Sequence, residues 1–104
     1  MWEEIIHSFA ETPRDIQTRP LTRKIPLWFY VYVENDSLFV DCARKHEPSS
    51  KISIPRKLAS DADKCAVMYN LYLRRKAGEQ VSEEATSITA NQVYWYGVFA
   101  EMEY

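Results

Sequence analysis

Glycine is nearly missing from this chain of 104 residues, which has only two. A glycine-rich loop that wraps phosphate in backbone N–H groups is therefore excluded. Cysteine is as sparse: Cys42 and Cys65 lie far apart, each in an apolar setting, which excludes a disulfide framework and reads as two small, buried, reduced thiols. The histidines are His7 and His46 alone, and two His and two Cys without paired spacing do not make a zinc site. No metal and no cofactor is expected. No stretch approaches the ~18–20 uninterrupted apolar residues of a membrane span. The opening MWEEIIHSFAET places Glu3 and Glu4 where a secretory signal would carry basic residues before an apolar run. The expectation is a cytoplasmic protein without a membrane partner.

Aromatics, by contrast, are plentiful: three Trp, seven Tyr and four Phe. Apolar residues make up 46% and charged residues 27%, the proportions of a globular domain, and the length suits one domain spanning 1–104. The net charge of −2 is laid out in blocks. Residues 13–26 carry Arg14, Arg19, Arg23 and Lys24 against Asp15, and residues 44–57 carry Arg44, Lys45, Lys51, Arg56 and Lys57 against Glu47. Both blocks fall in proline-containing connections, so they can meet as one patch on the folded surface. A pI of 5.7 speaks against a general nucleic-acid binder.

Trp2, Ile5, Ile6, Phe9 and Ala10 keep helical spacing, with Glu3, Glu4 and Glu11 opposite, so an amphipathic helix is expected before Pro13. Residues 11–26 read as an irregular arm. The run LWFYVYV, the turn END and the run SLFVDCA predict a β-hairpin over 27–44 turning near Asn35 and Asp36. Alternation sets Leu27, Phe29, Val31 and Val33 on one face and Trp28, Tyr30 and Tyr32 on the other. The segment Ile52–Ile54 suggests a short edge strand stopped by Pro55. A central helix is expected over 60–77, with Ser60 as N-cap, Asp61 and Asp63 in its first turn, and Gly78 as a left-handed C-cap. Its apolar residues surround it: Val67, Met68 and Leu71 fall outside the main stripe, making them the candidate interface for a second copy.

The last segment reads as a short helix near 82–89 followed by a C-terminal strand near 92–100, because V-Y-W-Y-G-V-F is almost all strand-forming residues. The rival is one long helix, since Val81, Ala85, Ile88, Gln92, Trp95, Phe99 and Met102 keep a 3-4 spacing. The expected fold class is α+β: an antiparallel sheet of 3–4 strands packed by the N-terminal and central helices.

Three classes of chemistry are weighed. Asp41, Cys42, His46 and Glu47 are the raw material of nucleophilic or acid–base catalysis, but one loop cannot supply a base, a nucleophile and oxyanion donors together, and a polar loop after a strand explains them. An enzyme using His46 with Asp41 or Glu47 is the alternative, and no catalytic residue is assigned. Trp28, Tyr30 and Tyr32, with Tyr94 and Tyr96 on a neighbouring strand, would make a stacking platform for single-stranded nucleic acid. Helices covering that face are the commoner arrangement, and nucleic acid is disfavoured. The third class, a binding or interaction module, is the preferred reading. Its candidate surface is Trp28, Tyr30, Tyr32, Tyr94 and Tyr96, edged by Arg44, Lys45 and His46, with a homodimer and a protein or small-molecule partner expected.

The stretch from IPRKLASDADK through MYNLYLRRKAGE to NQVYWYGVFAEM, about half of the chain, resembles small uncharacterised bacterial proteins carried on mobile elements, of the integron gene-cassette kind. The resemblance implies a bacterial, mobile-element origin and transfers no site residue.

Overall fold

Trp2–Glu11 forms helix α1 in the computed structural model, which describes residues 1–22 and 24–104. Arg23, a member of the first basic block, lies outside the described residues. Ile5 and Phe9, one turn apart, are the buried side of α1, and Glu3 and Glu4 occupy its first turn, where the helix dipole favours negative charge.

Four strands follow: β1 (Arg14–Gln17), β2 (Trp28–Glu34), β3 (Ser37–Cys42) and β4 (Arg56–Ala59). They form one antiparallel sheet in the order β1-β2-β3-β4. The β2–β3 hairpin pairs Glu34 with Ser37 and turns through Asn35 and Asp36, whose φ angles are 51 and 60°. A two-residue hairpin turn of type I′ needs that left-handed pair, and Asn and Asp tolerate it better than most residues.

Two strand expectations are corrected. The arm at 11–26 is not wholly irregular, because Arg14–Gln17 pairs with β2 and sets Ile16 opposite Phe29 in the core. The fourth strand is not Ile52–Ile54 but the segment just past Pro55. There each residue has an N–H to donate, and Leu58 and Ala59 reach the interior while Ile54 stays 74% exposed.

Three further helices complete the chain: α2 (Ala62–Lys76), α3 (Ser82–Ile88) and α4 (Gln92–Glu101). Asp61 rather than Ser60 caps α2, its carboxylate accepting from the N–H groups of Asp63 and Lys64 at 3.0 and 3.4 Å, while Ser60 bonds Ser37. Gly78 closes the helix at φ 95°, donating to the Arg75 carbonyl, and Glu79 donates to that of Arg74.

The C-terminal strand near 92–100 is also corrected: this segment is α4. From Tyr94 to Phe99 every residue is buried, so the helix is apolar on all sides and shows no stripe. Its strand-forming side chains are outweighed by what they pack against, namely α2 on one side and β1 on the other. Gly97 makes that approach possible: a Cβ there would stand 2.7 Å from the Gln17 carbonyl oxygen and 2.9 Å from the Phe29 ring. The long-helix rival fails too, since Thr89–Asn91 separates α3 from α4.

The result is a compact α+β fold with two layers. The helices lie on the sheet face that carries Phe29, Val31, Leu38 and Val40, all fully buried, and Ile5, Phe9, Met68, Leu71, Trp95 and Phe99 fill the space between the layers. Met68 and Leu71 therefore face this chain's own core and not a second copy. Of the three expected interface residues only Val67, 45% exposed, is open. The reason is register: the buried side of α2 is Cys65, Met68, Leu71 and Tyr72, so it is turned toward the two residues read as lying outside the main stripe. No helix among the described residues is long and apolar enough to cross a membrane.

Candidate functional site

Among the described residues no helix lies on the opposite sheet face. The ladder registers set Gln17 beside Trp28, Asp15 beside Tyr30, Tyr30 beside Asp41, Tyr32 beside Phe39, and Phe39 beside Lys57. Trp28, Tyr30, Tyr32 and Phe39 are half-buried there, sheltered only by one another and by neighbouring loops. Tyr32 stacks on Phe39 with ring centroids 5.4 Å apart, and Tyr30 lies 5.8 Å from Tyr32. Cations sit over two of these rings: the Arg44 guanidinium is 4.7 Å from the centroid of Tyr30, and the Lys57 ammonium 5.9 Å from that of Phe39. Partial burial, and then the charges of Glu34 and Asp41, push the Tyr32 hydroxyl above its ordinary value.

At one end of this face the chain builds a clamp. The Asp15 side chain is 2% exposed, and its carboxylate accepts the backbone N–H groups of Arg44 at 2.9 Å, Lys45 at 2.8 Å and His46 at 3.1 Å. It also meets His46 Nδ1 at 2.9 Å. Burial alone would raise the pKa of Asp15. The backbone donors and the His46 contact outweigh it, so the carboxyl is held below its ordinary value of 3.8. The His46 ring in turn stacks on Trp28, with centroids 4.0 Å apart and planes 17° from parallel. Trp28 is itself braced by the returning loop, donating its N–H to the Pro48 carbonyl and accepting from Ser50 N–H, both at 2.8 Å. Between Pro13, Arg14, Asp15, Tyr30, Arg44, Lys45 and His46 lies a cleft of about 380 Å³.

The two basic blocks thus meet, as their placement allowed, through Asp15, the one acidic residue within the first of them. Six of the expected surface residues are brought together: Trp28, Tyr30, Tyr32, Arg44, Lys45 and His46. Tyr94 and Tyr96 are not. They ride on α4 behind the sheet, where Tyr94 packs 5.0 Å from Phe29 and Tyr96 stacks against Tyr72, because the segment that carries them is a helix. The commoner arrangement, in which helices cover Trp28, Tyr30 and Tyr32, is not the one found. Helices cover the Phe29 face alone.

The loop cluster read as possible catalytic material is dispersed. Cys42 projects to the helix side of β3, whereas His46 lies on the open side. Asp41 is buried, accepting from the Cys42 N–H at 2.8 Å and from Arg44 Nη2 at 3.2 Å. The partner of His46 is Asp15, roughly thirty residues earlier, and no local spacing in the sequence announces it; its place among four basic residues was the only signal. Cys65 is buried, and burial pushes its thiol up to about 11, so it is inert at neutral pH. Neither cysteine forms a disulfide. Among the described residues no group of three or more His, Cys, Asp or Glu side chains is placed to hold a metal ion.

Comparison with protein-family models, with curated proteins and with solved structures gives no match to this chain.

Proposed function

We propose that this protein is a binding module, of the bacterial mobile-element origin its sequence resembles. Its open sheet face receives a protein or small-molecule partner that presents flat apolar groups together with negative charge. One observation carries the reading: α1, α2 and α4 pack on the Phe29 side, while on the other side four aromatic rings stay half-buried with no helix over them among the described residues. Half-exposed Tyr and Trp with an arginine beside them are what interfaces are enriched in. Arg44 is already paired with Asp41 at 3.2 Å, so the positive charge on offer at the rim is that of Lys45 and Lys57, which make no ion pair among the described residues.

Native mass spectrometry of protein purified gently from its host tests this, read against the double variant Trp28→Ala/Tyr30→Ala. The expected result is a reproducible bound mass on the wild type that the folded double variant lacks. A double variant that simply unfolds would make these rings structural and end the reading. Titration with oligothymidine at low and high salt separates one partner chemistry, since phosphate contacts make affinity fall steeply with salt.

Self-association is kept on a narrower base than the sequence suggested. Val67 is the one residue of the three left for a second copy, so a dimer through α2 is weak. Sedimentation giving a monomer mass at every concentration removes it.

A second reading, an enzyme with His46 as general base, is favoured by the 2.9 Å Asp15–His46 contact, which leaves Nε2 directed away from the carboxylate. It takes Asp15 in place of Asp41 or Glu47 as the orienting acid. A panel of activated ester and phosphate substrates on which wild type and His46→Ala show equal rates would dismiss it.

A further inference from the structure

We propose that a second cavity, between the 18–27 connection and the ends of α2 and α4, binds a small amphipathic anion: a compact hydrocarbon or aromatic body with one carboxylate, the carboxylate held by Arg75. This site shares no residue with the open-face cleft. Its volume is about 270 Å³, at the small end of ligand pockets, which fits a small molecule and not a peptide.

The walls supply the apolar half of the argument. Ile25, Leu27 and Val93 line the cavity and are 72, 37 and 46% exposed, an unusual gathering of open aliphatic side chains around one concavity, with the rings of Tyr94 and Tyr96 behind them. At the base the Ser50 and Tyr94 hydroxyls bond each other at 2.8 Å in a buried pair that can orient a polar atom of a ligand.

The charges supply the other half. Arg19, Lys24 and Arg75 line the cavity, and no Asp or Glu does among the described residues. The contrast with the preceding residue is direct. Arg74 is matched by two carboxylates, donating to Glu79 at 3.2 Å and to both oxygens of Glu84 at 2.9 Å. Arg75 has none among the described residues: its guanidinium lies 4.4 Å over the Tyr96 ring and donates a hydrogen bond to the Arg19 carbonyl at 2.6 Å. Five N–H donors are available on a guanidinium, so most of this one's capacity is unspent. Partial burial disfavours its charge and lowers its pKa, a cost that an incoming carboxylate offsets.

The probes are 2-naphthoate, which has the ring body and the carboxylate, and 2-naphthamide, which has the same shape without charge. Isothermal titration should give saturable naphthoate binding to the wild type, at least about tenfold weaker binding of the amide, and a similar loss in Arg75→Gln. Tyr30→Ala, on the open face, should leave naphthoate affinity unchanged, so this site and the proposed partner surface fail or succeed separately. Amide-resonance mapping on the wild type should place the largest shifts at Thr18, Ile25, Ser50 and Tyr96, and this readout stands even where Arg75→Gln does not fold. Absence of saturable binding, equal binding of acid and amide, or shifts centred on Tyr30 would each overturn the proposal.

Discussion

The two faces of one sheet have opposite surroundings, set by residues that alternate along the same strands. In β2, Phe29 and Val31 are fully buried beneath helices, while Trp28, Tyr30 and Tyr32, their immediate neighbours in sequence, stand half-open on the other side. Both sets are large and apolar, so hydrophobicity alone does not separate them. The separation lies in what accompanies the rings: aliphatic and aromatic side chains on the covered face, hydroxyls, cations and a clamped imidazole on the open one. Aromatic content is thus a poor guide to burial here, and the polar company of each ring is a better one.

The comparison is sharpened most by paired truncations. Phe29→Ala leaves a cavity between β2 and α4 and should cost about 3–5 kcal/mol, enough to unfold a marginal domain, as read by urea denaturation. Tyr30→Ala, one residue on, should cost about 1 kcal/mol or less. Equal losses from the two would break the distinction between the faces. Next in size is Gly97→Ala. Its new methyl group meets the Gln17 carbonyl and the Phe29 ring, so α4 must lift from the sheet, and the expected loss is about 1–3 kcal/mol by the same measurement.

A smaller effect tests the clamp. The pKa of Asp15 is lower folded than unfolded, so its stabilisation is complete above its ordinary value of 3.8 and is lost as pH falls through the depressed folded value. Thermal melts across pH 2–6 should show that acid-side loss in the wild type and a flatter profile in Asp15→Asn. Identical profiles would mean that the carboxylate does not hold the 44–46 turn. Gly78→Ala should also cost only about 1 kcal/mol by urea denaturation, since there is open space for a methyl group at Gly78 and only the left-handed backbone resists it.

How far these features could be read in advance depended on pattern. The N-terminal helix, the hairpin and the central helix each carry a clean period or a pair of end signals, and they are found close to where those signals put them. β1 is four residues with one fully buried side chain, Ile16, too little for any period to register. The segment forming α4 failed for the opposite reason: it is apolar on every side, so neither period stands out, and its Val, Tyr and Trp residues favour strands until packing on α2 and the sheet decides otherwise. The site divided along the same line. Trp28, Tyr30 and Tyr32 share a face by alternation alone, and Arg44, Lys45 and His46 follow the same hairpin. Asp15 joins them only through tertiary structure, and Tyr94 and Tyr96 left the group once their segment coiled.

Strand order has one more implication. An uncovered sheet with aromatic rings in register is the kind of surface from which fibrils grow, by adding strands edge to edge. Here both terminal strands, β1 and β4, are four residues long and begin with charge: Arg14 and Asp15 on one edge, Arg56 and Lys57, preceded by Pro55, on the other. An incoming strand would find a short template and would have to desolvate those charges to use it. The brevity and the charge of its two outer strands therefore leave an incoming strand little backbone to pair with, whatever the rings on the open face attract.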